Sequence, residues 1–157
     1  MNKIEIISKV ENKYNIVELA GSIDEFFAIP SSVILADKIN QFNLEKLNSI
    51  NSTGIREWIK FHQKYQDIEF EFINCPKFFI DQVNMVKGFM PAKSKIISFY
   101  VPYFCESNDS EKNILYTLGK EFDGKVIRHP ELVLDEKNIP MELDIVPERY
   151  FKFLGQL

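Results

Sequence analysis

The segment Ile50–Ile59, with sequence INSTGIREWI, joins an apolar run to an amphipathic helix through the polar tetrapeptide Asn51–Gly54. From Thr53 to Tyr65, apolar side chains recur at spacings of three and four residues, the period of one helical face. Asparagine and serine are favoured just before a helix, because their side chains accept hydrogen bonds from unpaired backbone N–H groups. The sequence therefore predicts a helix that begins at this tetrapeptide and exposes a hydroxyl there.

Strand-like runs precede this segment. Residues Lys3–Lys9 and Tyr14–Ala20 alternate in polarity and are separated by the turn residues Glu11–Lys13, which predicts a β-hairpin. A third apolar run starts at Val33 and leads into a strand over Lys38–Leu44, in which asparagine is an unusual guest.

Further elements follow the predicted helix. Residues Asp67–Asn74 alternate apolar and acidic side chains, which predicts a half-buried strand. A second helix is expected over Lys77–Phe89, because its apolar residues share one face and Pro91 prevents its continuation. Strand, helix, strand and helix in this order indicate a βαβ crossover, and hence an α/β sheet covered by helices.

The character of the chain changes beyond a predicted strand at Lys95–Pro102. We place a boundary there, with one domain over residues 1–104 and a small β-rich C-terminal appendage over residues 105–157. The appendage begins with a polar loop at Glu106–Glu111. Its predicted elements are short strands at Ile114–Leu118 and Glu131–Leu134, and an amphipathic helix at Pro147–Leu154 that is too short to be stable unless it docks on the body.

Composition narrows the function classes. The formal net charge is −4 and the lysines are scattered, so no footprint for nucleic-acid binding is present. Charges within the apolar N-terminal stretch argue against a signal peptide and a spanning helix, which predicts a cytoplasmic protein. Cys75, Cys105, His62 and His129 show no catalytic or metal-ligand spacing. We therefore expect no enzyme activity, no metal and no cofactor.

Two motifs resemble those of STAS domains, the family of anti-sigma factor antagonists and sulfate-transporter tails. Gly21–Asp24 is similar to the family's Gly-x-Ile/Leu-Asp motif after the second strand, and Asn51–Gly54 is similar to its Asp-Ser-x-Gly loop. The resemblance covers about the first hundred residues and implies a mixed β-sheet covered by helices. Asn51 stands in place of the family's aspartate, and Asn43 stands where the family often has another.

The resemblance also implies a site. Ser52 corresponds to the serine that is phosphorylated in the family, Asp24 to an aspartate that helps to contact an anti-sigma kinase, and Gly54 to the residue that lets the backbone turn into the helix. The implied partner-binding residues are Asp24, Asn51, Ser52, Thr53, Gly54 and Arg56.

Physical chemistry supports a switch at Ser52 and also offers a simpler role. A helix N-terminus stabilises an anion, and phosphate would add about −1.5 to −2 charges at pH 7. Alternatively, Asn51, Ser52 and Thr53 only cap the helix, and Asp24 only caps a short turn through Phe27.

The C-terminal part is similar to the zinc ribbon that follows the domain in some bacterial STAS-like proteins. Only Cys105 of the four thiolates would be retained, with Asn108, Leu134 and Lys137 at the other positions. The resemblance implies a degenerate ribbon held by apolar packing, and a plain helix-and-hairpin extension is the alternative.

Two hypotheses about function follow. The first is a non-enzymatic regulatory module that binds a signalling protein, such as an anti-sigma kinase, through Asp24 and Ser52. The second is a small-molecule or lipid sensor with an aromatic pocket among its 14 phenylalanines and 6 tyrosines.

Overall fold

Two larger β-sheets and a two-stranded one organise residues 3–155, the part of the chain that the structure, a computed structural model, describes. The first sheet contains five strands and is covered by two helices. Its elements are β1 (Glu5–Glu11), β2 (Tyr14–Ile23), β3 (Ile39–Ile50), α1 (Ser52–Gln63), β4 (Glu69–Ile73), α2 (Lys77–Met85) and β5 (Lys93–Ile96). The second part contains β6 (Ser98–Cys105), β7 (Ser110–Thr117), β8 (Phe122–Asp123), β9 (Val126–Ile127), β10 (Glu142–Leu143) and α3 (Pro147–Tyr150), with 3-10 turns at Ser31–Val33 and Lys152–Gly155.

The predicted β-hairpin is confirmed. Strands β1 and β2 pair antiparallel from Glu5 opposite Ala20 to Glu11 opposite Tyr14. The connecting turn holds Asn12 at a φ of 54°, in the left-handed region that asparagine tolerates better than most residues.

The first sheet is mixed, with the order β1-β2-β3-β4-β5. Strands β2 to β5 run parallel to one another, and β1 is antiparallel to β2. Helices α1 and α2 provide the crossovers after β3 and β4, as the βαβ pattern predicts. All four parallel strands therefore present their carboxyl ends at the same edge.

Aromatic side chains fill the space between this sheet and its helices. Trp58 of α1 is fully buried, and its ring lies 5.8 Å from those of Phe72 and Phe79. Its indole N–H donates to the Phe89 carbonyl at 2.8 Å. Seven buried phenylalanines pack on one another and on Trp58 in this core: Phe27, Phe42, Phe61, Phe70, Phe72, Phe79 and Phe89.

Buried asparagines at the amino ends of β2 and β3 explain the unusual strand composition. The Asn15 amide donates to the side-chain oxygen of Asn40 at 2.7 Å and to the Val33 carbonyl at 2.7 Å. The Asn40 amide donates to the Leu35 carbonyl at 2.9 Å. These bonds hold the connection between β2 and β3 against the sheet. This connection contains a 3-10 turn but no α-helix.

The single strand predicted at Lys95–Pro102 is wrong, because the chain divides there into β5 and β6. Ser98 and Phe99 are consecutive and both buried, which breaks the two-residue alternation of one continuous strand. The Ile97 N–H donates to the Phe72 carbonyl at 2.8 Å, and the Ile97 carbonyl accepts from the Leu118 N–H at 2.8 Å. Ile97 therefore joins the two sheets, and β6 continues in the second one.

The second sheet has the order β10-β6-β7, with both pairs antiparallel. The predicted strand at Ile114–Leu118 lies largely within the longer β7. The prediction of a strand at Glu131–Leu134 is wrong. Only Leu134 there forms a bridge, with Pro140, because a tight turn follows at once.

The C-terminal segment docks on the body, as its apolar residues predict. Tyr150, Phe151, Phe153 and Leu154 are all buried. The helix is shorter than predicted, since α3 ends at Tyr150 and a 3-10 turn completes the segment. The Tyr150 hydroxyl donates to the Tyr100 carbonyl at 2.5 Å. Across residues 3–155, no helix is long and apolar enough to cross a membrane.

Candidate functional site

The two motif loops lie side by side at the carboxyl edge of the first sheet. One loop follows β2 at residues 24–27, and the other follows β3 at residue 51 and continues into α1. The strands are parallel neighbours, and the hydroxyls of Ser22 and Ser49 at their ends are 2.9 Å apart. We refer to residues 24–27 and 51–56 as the loop edge.

Asn51 ties the loop edge together with three hydrogen bonds. Its side-chain oxygen accepts from the Gly54 N–H at 2.7 Å and thereby caps α1. Its amide donates to the Glu25 carboxylate at 3.1 Å, and its backbone N–H donates to the Ile23 carbonyl at 3.1 Å. Asn51 rather than Ser52 is therefore the capping residue.

An aspartate at position 51 could cap the helix but could not donate to Glu25. It would instead set two carboxylates next to each other. Hydrogen bonds from the backbone N–H of Glu25 itself and from Asn51 lower the pKa of the Glu25 carboxyl. Asn51 and Glu25 therefore form a matched pair, which an aspartate at position 51 could not form.

Gly54 has a different role from the one the motif implies. Its φ lies outside the left-handed region, so the turn itself does not require glycine. A Cβ atom on Gly54 would lie 1.8 Å from the Ile23 carbonyl oxygen. Glycine is needed because the first turn of α1 packs directly against the backbone at the end of β2.

Asp24 caps a turn, as predicted. Its carboxylate accepts from the Phe26 N–H at 2.9 Å, and its carbonyl accepts from the Phe27 N–H at 3.0 Å. Phe27 points into the core against Trp58 and Phe61, while Phe26 stays 41% exposed. Glu25 and Phe26 were not predicted as site residues from the sequence. Two adjacent phenylalanines in a turn were the available signal, because only one of them can face the core.

Ser52, Thr53 and Arg56 lie on the exposed surface of the first turns of α1. Their side chains form no hydrogen bond or ion pair with any residue between 3 and 155. The structure thus brings all six predicted partner-binding residues to the loop edge. Asp24, Asn51 and Gly54 shape it, and the three others stand on its surface.

Asn43 lies away from the loop edge, although the family often has an aspartate there. Its side-chain oxygen accepts from the Glu45 N–H at 3.0 Å and from the Asn74 amide at 3.0 Å. Asn43 therefore fixes a bend in β3 beside the end of β4, and an aspartate could accept the same bonds.

Two of the four positions compared with a zinc ribbon, Asn108 and Lys137, belong to a hydrogen-bonded cluster around Asp135. The Asn108 amide donates to one carboxylate oxygen of Asp135 at 2.5 Å, and the backbone N–H groups of Lys137 and Ile139 donate to the other at 2.8 Å each. These bonds, with that from Asn108 foremost, lower the pKa of Asp135 to about 2. The Cys105 thiol contacts the Ser107 hydroxyl at 3.2 Å.

His62 is buried in the first core, whereas His129 lies on the surface beside Tyr116. His62 Nε2 lies 2.8 Å from the Phe89 carbonyl oxygen, and His129 Nδ1 lies 2.7 Å from the Tyr116 hydroxyl. Burial lowers the pKa of both imidazoles. Within the described part of the chain, no three His, Cys, Asp or Glu side chains are grouped to hold a metal ion.

No protein-family model matches the chain, and no curated protein matches it. The loop edge contains all six predicted partner-binding residues, and its geometry is the basis for the proposed function.

Proposed function

We propose that this chain is a non-enzymatic regulatory module that binds a protein partner through the loop edge, as an anti-sigma factor antagonist does, with Ser52 as its phosphorylation site. The supporting observation is the contrast within the loop edge between a fixed backbone and free side chains. Asn51 and Gly54 lock two loops together, while Phe26, Ser52 and Arg56 remain exposed. We also propose that the chain acts in the cytoplasm. The first sheet and its helices would then form a STAS-like domain.

A fixed backbone favours partner binding for an energetic reason. Association costs free energy when loops and side chains must be ordered, and a preorganised surface avoids part of that cost. The loop edge also combines an exposed phenylalanine with charges of both signs, from Asp24 and Glu25 on one side and Arg56 on the other. An aromatic anchor among polar groups is a common composition for a protein-binding surface.

Phosphorylation would change this surface without unfolding it. The first turn of α1 contains no acidic residue, so the helix dipole can accommodate a phosphate on Ser52. Glu25 and Asp24 lie on the neighbouring loop, so the added charge makes the whole edge strongly negative. A partner that docks there through acidic or closely packed apolar groups would be released.

A binding comparison tests this role. The tagged full chain and its Ser52→Asp and Ser52→Ala variants are used to capture proteins from the cells that make it, and quantitative mass spectrometry compares the captured proteins. We expect one signalling protein to be retained by Ser52→Ala and reduced at least tenfold by Ser52→Asp. Mass spectrometry of the chain from its own cells is expected to show phosphate on Ser52.

Ser31→Asp is the matched control. Ser31 is also an exposed serine at the start of a helical turn, but it precedes Val33, which is bonded to Asn15 at the opposite end of the parallel strands. This variant should capture the partner as the unchanged chain does. Equal capture by Ser52→Asp and Ser52→Ala, with no phosphate on Ser52, would contradict the proposal.

A further inference from the structure

Strand β1 forms an open edge of the first sheet. It is seven residues long and pairs only with β2 among the described strands. Its outward-facing apolar side chains are unusually exposed, with Ile7 at 65% and Val10 at 54%. A long edge strand with exposed apolar residues is a template for pairing with another chain.

The opposite edge of the same sheet is protected. Strand β5 has four residues, two of which are Lys93 and Lys95, and Pro91 lies just before it. Short length, lysine and proline are the features that keep edge strands from pairing. Strand β1 also carries charged residues, among them Lys9, but it is longer than β5 and has no proline, so it is the more open of the two edges.

The hydrogen-bonding groups of β1 that point outward can be assigned. The Ile39 N–H donates to the Lys13 carbonyl at 2.9 Å, so the odd-numbered residues of β2 face β3 and the even-numbered ones face β1. Their partners on β1 are odd-numbered, from Glu5 to Glu11. The N–H and C=O groups of Ile6, Ser8 and Val10 therefore point away from the sheet.

We propose that β1 pairs antiparallel with β1 of a second copy of this chain, centred on Ile7, to form one continuous sheet. In this register Glu5 faces Lys9 of the second copy, and Lys3 faces Glu11. Ile7 faces its own equivalent across the two-fold axis. Lys3 is available to this pairing because residues 3 and 4 run on beside Gly21.

Charge decides the register. Each neighbouring register that keeps the helices of both copies on one face places like charges opposite each other. A pairing centred on Ser8 sets Glu5 against Glu11, and one centred on Ile6 sets Lys3 against Lys9. Opposite charges on facing strands are favourable and like charges are unfavourable, so the pairing centred on Ile7 is selected.

Pairing also covers apolar side chains on the other face of the joined sheet, where Val10 faces Ile4 of the second copy and Ser8 faces Ile6. Both exposed apolar side chains of β1, Ile7 and Val10, therefore become covered. Because the two β1 strands are antiparallel, the loop edges of the two copies lie at opposite ends of the joined sheet. Self-association through β1 therefore leaves both loop edges free and does not depend on the proposed function.

Cysteine cross-linking tests the register. In the proposed dimer the two Ile7 residues form a non-hydrogen-bonded pair with Cα atoms about 4.5 Å apart, a separation that a disulfide spans. The Ile7→Cys chain should become a covalent dimer on oxidation. Val10→Cys is the matched control, because its equivalents lie about 20 Å apart in this register at about 3.4 Å per residue. Equal cross-linking of the two variants, or none in Ile7→Cys, would overturn the proposal.

Charge reversal tests the same pairing without a covalent bond. Sedimentation velocity of the unchanged chain should show a monomer–dimer equilibrium. Glu5→Lys alone and Lys9→Glu alone should each weaken the dimer by about tenfold, because two symmetric attractions become repulsions. The double variant should restore it, and Met85→Lys, at an exposed apolar site on α2, should have no effect. A chain that stays monomeric at all concentrations, or no restoration by the double variant, would rule the pairing out.

Discussion

Asn51 shows how one amide can fix a whole surface. Its oxygen caps α1 and its nitrogen reaches across to the neighbouring loop, so both functions depend on a side chain with a donor and an acceptor. Ser52, the next residue, then carries no structural task and remains free for chemistry. In the proposed function, one residue fixes the backbone and the next carries the phosphate, so stability does not depend on the modified side chain.

This division of roles predicts unequal effects of two alanine substitutions. Asn51→Ala should lower the free energy of unfolding by about 1 kcal/mol, because the helix cap is lost. Ser52→Ala should change it by less than about 0.5 kcal/mol, since the side chain is exposed and unbonded. Urea unfolding followed by the fluorescence of Trp58, the one tryptophan of the chain, measures both. A larger loss of stability in Ser52→Ala than in Asn51→Ala would show that Ser52, and not Asn51, caps α1.

Gly54 is predicted to tolerate no side chain. Gly54→Ala should cost about 3 kcal/mol or more, because the new methyl group would overlap the Ile23 backbone and force α1 away from β2. Urea unfolding gives the cost, and Ser52→Ala from the same loop serves as the control for the substitution itself. A cost below 1 kcal/mol would mean that the helix can shift without consequence.

Asp135 should make stability depend on acid pH. The pKa of its carboxyl is about 2 in the folded chain and near 3.8 when unperturbed. As the pH falls, the unfolded chain therefore takes up this proton before the folded chain does. Its contribution to stability is complete above about pH 4 and is lost as the pH falls toward 2. The free energies of unfolding of the unchanged chain and of Asp135→Asn should therefore differ most at pH 7 and converge near pH 2. A difference that does not vary with pH would show that the hydrogen bonds of Asp135 do not depend on its charge.

At the scale of elements, periodicity in the sequence predicted the helices and strands that bury one face. The helical spacing around Trp58, the alternation in β4 and the shared apolar face of residues 77–89 were enough to predict α1, β4 and α2, because one buried face sets each pattern. Helix α2 ends at Met85 rather than at the predicted Phe89. The parallel order of β2 and β3 then brings the two motif loops together. The loop edge was accessible to sequence analysis for this reason.

Other features depend on contacts between distant residues and carry no local signal. Residues 93–105 look like one strand with an interruption, and only pairing with β4 on one side and β7 on the other divides them at Ile97. Asn108 and Asp135 are 27 positions apart, and nothing in either neighbourhood specifies the partner. The sequence also leaves open which of Asn51, Ser52 and Thr53 caps α1. The hydrogen bond that holds the Asn51 side chain goes to Glu25, 26 positions away on another loop.

The docked C-terminal segment is an element whose contribution can be measured. Its residues cover Phe99, whose ring lies 5.1 Å from that of Phe153. Ending the chain after Pro147 should lower the melting temperature by about 5–10 °C, since burial of the four apolar side chains exceeds the cost of ordering them by a few kcal/mol. Calorimetry of the shortened chain measures the shift.

Point variants separate docking from chain length. Phe153→Ala removes a fully buried ring and should also lower the melting temperature, whereas Lys152→Ala changes an exposed neighbour and should not. An unchanged melting temperature in both the shortened chain and Phe153→Ala would mean that the segment is not held on the body in solution.

At the scale of the whole molecule, backbone hydrogen bonds link the two sheets. The Cys75 N–H donates to the Ser98 carbonyl at 3.1 Å, and the Cys75 carbonyl accepts from the Tyr100 N–H at 2.9 Å. Strand β6 therefore extends the ladder that begins at the end of β4. The boundary predicted after residue 104 falls at the end of β6, and its hairpin partner β7 lies beyond that boundary.

These links predict that the described chain unfolds as one cooperative unit. Trp58 fluorescence follows the first core, and labelling of the buried thiol of Cys105, in a Cys75→Ala chain, follows the second sheet. Both probes should give the same urea midpoint, because opening either sheet breaks the hydrogen bonds that Ile97 and residue 75 make to the other. Two separate midpoints, with Cys105 labelled first, would instead show that residues 105–157 open independently of the body and that the packing of Phe153 on Phe99 is too weak to couple them.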